Sequence, residues 1–93
     1  MSETLSQYKK EIREGEIEKA ILGLKKYIET NNVSCEDEPF YLLGNAYRKQ
    51  GNWQLALNNY LEAMERNQES PAVQAYQITM DILNFYNKDM YNQ

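Results

Sequence analysis

The chain has no histidine among its 93 residues and only one cysteine, Cys35. Without histidine the usual general base and the commonest metal ligand are missing, so zinc sites and Ser-His or Cys-His catalysis are excluded on inventory. A single thiol forms no internal disulfide, and Cys35, in a polar connection, is expected to be unreactive. Long apolar runs are also missing, as is a basic flank followed by an apolar core of signal-peptide length. The expectation is a cytoplasmic protein with no membrane contact. Basic residues are in deficit, 10 against 14 acids for a net charge of −4, which argues against a nucleic-acid backbone as partner. No glycine loop of the phosphate-cradling kind occurs. The acids at Glu14, Glu16 and Glu18 and at Glu36, Asp37 and Glu38 fit a solvated turn and a helix amino terminus, where negative charge complements the helix dipole. No enzymatic activity, cofactor or metal is expected.

What is present is a repeat. Residues 14–21 lie over residues 50–57 with Gly15 on Gly51 and Ala20 on Ala56, a spacing of 36 residues. At the same spacing Leu24 meets Tyr60, Ile28 meets Met64, Glu29 meets Glu65 and Asn31 meets Asn67. Each copy carries one apolar stripe at helical intervals: Ile17, Ala20, Ile21, Leu24 and Ile28 in the first, and Trp53, Ala56, Leu57, Tyr60, Ala63 and Met64 in the second. A second amphipathic segment precedes each glycine, marked by Leu5, Tyr8 and Ile12, then by Phe40, Leu43, Ala46 and Tyr47. Each unit is therefore helix, glycine turn, helix, because only glycine cheaply adopts the left-handed residue that ends a helix before a tight reversal. Pro39 suits the first turn of a third helix, and Ser70-Pro71 opens a fifth that runs to Tyr86. The small Gly44 and Ala56 are expected where the paired helices cross most closely, with Tyr47, Tyr60 and Trp53 filling the gaps beside them.

Residues 37–70 resemble the tetratricopeptide repeat. That family's pattern of aromatic, leucine, glycine, tyrosine, alanine, aromatic and alanine is met by Phe40, Leu43, Gly44, Tyr47, Ala56, Tyr60 and Ala63, although Gln68 stands where the pattern has proline. Residues 1–36 resemble it less closely, with Tyr8 in the place of glycine and Glu11 in the place of tyrosine. That unit is two residues longer than the family's usual length of about 34, an excess assigned to the connection at Asn32 to Glu36. The resemblance implies an all-α fold of five helices: a divergent repeat at 1–36, a repeat at 37–70, a closing helix at 71–86 and a frayed tail at 87–93, forming one right-handed superhelix.

In this family the first helix of each pair lines a concave face where a peptide docks. The matching positions place Lys9 and Arg13 beside Tyr41, Asn45, Arg48 and Lys49 as peptide-binding residues, with Leu5, Ile12 and Leu42 on the same face. The fifth helix would add Ala72, Ala75, Tyr76, Thr79 and Leu83. Four cations against the single acid Glu38, on an acidic chain, favour an acidic segment of a partner protein. The lysine and asparagine clamp with which some members hold chaperone tails is not matched, since Leu5 and Lys9, then Leu42, then Ala72 and Tyr76 stand at its places. The fifth helix is apolar over more than one face, with Val73, Tyr76, Met80 and Leu83 on one and Ile78, Ile82 and Phe85 on another. Self-association into a homodimer through Ile78, Ile82 and Phe85 is accordingly the alternative function.

Overall fold

The computed structural model describes residues 2–86, and the tail at residues 87–93 lies outside them. The described chain is all-helical: α1 (Ser2–Arg13), α2 (Ile17–Thr30), α3 (Glu38–Gln50), α4 (Trp53–Arg66) and α5 (Ala72–Tyr86). Short links reverse the chain after each helix, so α1 and α3 run in one direction and α2 and α4 in the other. The α2–α3 link spans seven residues and the α4–α5 link five, which places the extra length of the first unit between Asn31 and Asp37.

The two glycine turns are copies of each other. Gly15 and Gly51 have φ of 89° and 86°. At the first, Gly15 N donates to Ile12 O at 3.2 Å and Glu16 N to Glu11 O at 2.8 Å; at the second, Gly51 N donates to Arg48 O at 3.0 Å and Asn52 N to Tyr47 O at 2.9 Å. This pair of bonds satisfies the carbonyls left over at the end of α1 and of α3. Side chains cap the amino termini of α4 and α5: Asn52 Oδ1 accepts from Leu55 N at 3.4 Å and Ser70 Oγ from Ala72 N at 3.1 Å. Pro39 sits in the first turn of α3, where no amide is required.

One continuous core runs through the layers, from Leu5 and Ile12 on α1, through Ala20, Ile21, Leu24 and Tyr27 on α2, to Phe40, Leu43, Ala46 and Tyr47 on α3 and Ala56, Tyr60 and Ala63 on α4. Both repeat stripes read from the sequence thus face inward. Within α3–α4, Gly44 is the notch for the ring of Tyr60. A methyl built on Gly44 would lie 3.0 Å from Tyr60 Cζ and closer still to Cε1 and Cδ1. The first unit reverses the arrangement, because Tyr8 on α1 fills a notch at Gly23 on α2, where a methyl would lie 2.9 Å from Tyr8 Cζ. The tyrosine that departs from the family pattern is therefore accommodated from the opposite helix.

The carboxylate of Glu11, at the place of Tyr47 in the other unit, is buried beside these contacts. Its Oε2 accepts from Gln7 Nε2 at 3.2 Å and lies 3.8 Å from Lys19 Nζ, while Oε1 has no hydrogen-bond partner among the described residues. Arg66 closes the far side. Its guanidinium stacks 4.0 Å from the Phe40 ring centroid, Nε donates to Val33 O at 3.2 Å, and Nη1 pairs with Glu62 Oε1 at 2.7 Å. One planar cation so pins the long α2–α3 link onto the end of α4.

α5 docks on α4 through Ala72, Ala75 and Thr79, all buried, with Thr79 Oγ1 donating to Ala75 O at 2.8 Å. Those three were expected on an open binding face and are not there. A helix whose contact stripe is this small approaches its neighbour closely, and the bulkier Val73 and Ile78 remain 40% and 46% exposed.

Two substitutions separate notch from propensity. Gly44→Ala is expected to destabilise by about 1–3 kcal/mol despite alanine's better helix propensity, because the wholly buried Tyr60 ring has nowhere to move. Gly23→Ala is expected to cost less, since the half-buried Tyr8 can swing outward. Urea denaturation of both variants, with Tyr60→Leu added to the first, measures it: the Gly44→Ala/Tyr60→Leu pair should lose less stability than the sum of its singles.

Candidate functional site

The parallel helices α1 and α3 leave a groove between them, and Lys9, Arg13, Tyr41, Asn45, Arg48 and Lys49 all line one pocket there, of about 300 Å3. Ile12 and Leu42 make its apolar floor. All six residues assigned from the sequence to peptide binding are therefore brought together, and α5 contributes none of the lining.

Each wall has a local cause. Lys9 and Arg13 are one turn apart on α1, and Tyr41, Asn45, Arg48 and Lys49 recur at three and four along α3, so both sets share the face that α2 and α4 do not cover. Tyr60 reaches through the core from α4: its hydroxyl donates to Asn45 Oδ1 at 2.6 Å. With Oδ1 engaged, the Asn45 amide Nδ2 is left as a donor, and nothing among the described residues accepts from it. Tyr41 packs over the same ring, centroids 6.2 Å apart and planes inclined by 39°. Burial pushes the Tyr60 phenol up to about 12; the Arg48 cation pulls the other way and Tyr41 adds to the rise.

The charges are unequal in their pairing. Lys9 Nζ meets Glu38 Oε2 at 2.7 Å, a bridge from α1 to α3 between half-exposed side chains and worth about 0–1 kcal/mol. The sequence counted both residues on this face without pairing them. Arg13, Arg48 and Lys49 have no acidic partner within ion-pair distance among the described residues. Along this groove the described residues hold no clustered carboxylates or thiol of metal-ligating spacing, and Cys35 is exposed in the α2–α3 link. What the arrangement offers is an apolar floor, one amide donor and cations without an acidic partner among the described residues.

The residues assigned to self-association also converge. Ile78, Ile82 and Phe85 border a second, shallower depression on α5 together with Asp81, of about 410 Å3. Among the described residues no helix is long and apolar enough to cross a membrane.

No protein-family model matches the chain, and no curated protein does. Among solved structures, the solution NMR structure of the Bacteroides fragilis protein BF1650 aligns with a TM-score of 0.83 and 56% sequence identity, covering 96% of this chain and 89% of that one.

The Tyr60 titration carries a pH dependence. Near pH 10 the unfolded chain's tyrosine gives up a proton that folded Tyr60 keeps until about 12, so stability is whole below pH 10 and falls as pH rises through that window. The loss is on the order of 2 kcal/mol. Tyr27 adds a loss of the same sign, its phenol raised by burial and then by its hydrogen bond to Glu36. Tyr60→Phe should cost about 1 kcal/mol at neutral pH, for the lost hydrogen bond, yet flatten the alkaline decline. Urea midpoints tracked across the window measure both effects.

Proposed function

This chain belongs to the same family as the Bacteroides fragilis protein BF1650, and we propose that it is a protein-interaction module whose helix pairs are tetratricopeptide repeats. Its α1–α3 groove takes a peptide or helical segment of a partner protein and performs no chemistry on it. The observation that carries this reading is the convergence of Lys9, Arg13, Tyr41, Asn45, Arg48 and Lys49 around a single apolar-floored pocket. The duplicated glycine turns and the Gly44–Tyr60 notch support the repeat assignment, and with it a right-handed superhelical stacking of the pairs.

Charge sets the partner's character. On a chain of net charge −4, a groove holding Arg13, Arg48 and Lys49 favours an acidic ligand and draws it in by long-range attraction. Asn45 Nδ2 then donates to a backbone carbonyl or carboxylate of the segment. Immobilised protein challenged with a tryptic digest of its own cell's proteome, with retained peptides identified by mass spectrometry, tests this. The variant Arg48→Glu/Lys49→Glu should keep the helical circular-dichroism signal and lose the retained set. Retention unaltered by the double reversal rules the groove out.

A second reading rests on Ile78, 46% exposed on α5, and on the depression it shares with Ile82 and Phe85: there the chain is an assembly protein whose closing helix meets a second copy. Under that reading Ile78→Asp with Ile82→Asp converts a dimer into a monomer. Size exclusion with light scattering reads the mass, and a wild type that is already a strict monomer removes it.

A further inference from the structure

We propose that the groove is polarised along its length, so that its ligand is an acidic-apolar peptide with its carboxylates gathered at one end only, and that Glu38 enforces this. The proposal rests on the peptide-binding reading and adds the orientation and composition of what is bound. Glu38 is the first residue of α3, while Arg48 and Lys49 stand in its last turn, about 15 Å further along at 1.5 Å per residue. Arg13 is the last residue of α1 and lines the same pocket as Arg48 and Lys49. Three cations without acidic partners among the described residues therefore gather at the carboxyl ends of α1 and α3. They more than offset the partial negative charge that the helix dipoles place there.

The other end is electrically closed. Lys9 lies one turn before Arg13, but its ammonium is held 2.7 Å from Glu38. A ligand carboxylate arriving there must break that pair and then sit against Glu38, a like-charge approach that disfavours it. Between the ends, Ile12 and Leu42 offer only apolar surface, and Asn45 presents a neutral donor. The chemistry in order along α3 is thus closed ion pair, apolar floor with one amide donor, then open cations. A peptide whose acids are spread over both halves finds a partner for only one half of them.

Glu38 is then a specificity-determining residue, testable by a gain of binding. A random dodecapeptide library displayed on phage is panned on three immobilised proteins: wild type, Glu38→Gln and Arg48→Glu/Lys49→Glu. Wild type should enrich peptides with an apolar centre and Asp or Glu to one side of it. Glu38→Gln, which frees Lys9, should enrich peptides with acids on both sides, and a synthetic two-sided peptide should bind that variant about fivefold more tightly than it binds wild type. Acids on both sides already in the wild-type set, or an unchanged profile in Glu38→Gln, overturns the polarity while leaving the groove in place. An empty wild-type selection, or one that survives Arg48→Glu/Lys49→Glu, overturns the groove itself and the polarity with it. The wild-type profile decides the matter even if Glu38→Gln does not fold.

Discussion

The molecule depends on a tyrosine ring pressed against a helix that has no side chain at the point of contact. Aromatic rings carry the largest apolar area a side chain brings to a core, and at two places the facing helix gives up its Cβ to admit one. In α3–α4 the pair is Tyr60 on Gly44; in α1–α2 it is Tyr8 on Gly23. Glycine within a helix costs about 1 kcal/mol against alanine, so its presence at 23 and 44 has to be offset by what packs there. The same contact reaches the groove. Tyr60 is wholly buried as a ring, yet its hydroxyl ends at Asn45, and so the distance between α3 and α4 also sets how the amide of Asn45 is presented.

Much of this was legible in the order of the residues alone. The 36-residue spacing, the two left-handed glycines and the apolar stripes of α2, α3 and α4 arise from local rules: period, punctuation and capping act within a few residues of one another. The six groove residues came from the resemblance to the tetratricopeptide repeat, which implies that the first helices of successive pairs share one face, and the structure brings them to one pocket. Gly23 was not legible. A helical glycine announces a close approach without saying to what, and the answer sits fifteen residues away on another helix. α5 misled for a related cause: its broad apolar surface hid which stripe goes inward, and the stripe that does is Ala72, Ala75 and Thr79, the least hydrophobic of the choices. There, closeness of approach outweighed the transfer energy of larger side chains.

Charge in this chain is arranged on a different principle from packing. Arg66 is largely shielded and spends its planar cation on Phe40, Val33 O and Glu62 at once, which makes it a structural element. Lys9 is neutralised by Glu38 on the rim of the groove. Arg13, Arg48 and Lys49 have no acidic partner among the described residues, and their field is screened over a distance of about 10 Å at ordinary ionic strength. Salt therefore tunes the field they present.

Because ring and notch exchange sides between the two units, the four helices are not interchangeable. If α1 were to pair with α4 in the geometry of a native hairpin, Tyr8 and Tyr60 would compete for one space; if α3 took α2 in that way, Gly44 and Gly23 would face each other across a void. Either mistake sacrifices an aromatic seat, so two near-copies in one short polypeptide carry their own address labels, and a collapsing chain can tell its proper mate from the neighbouring look-alike.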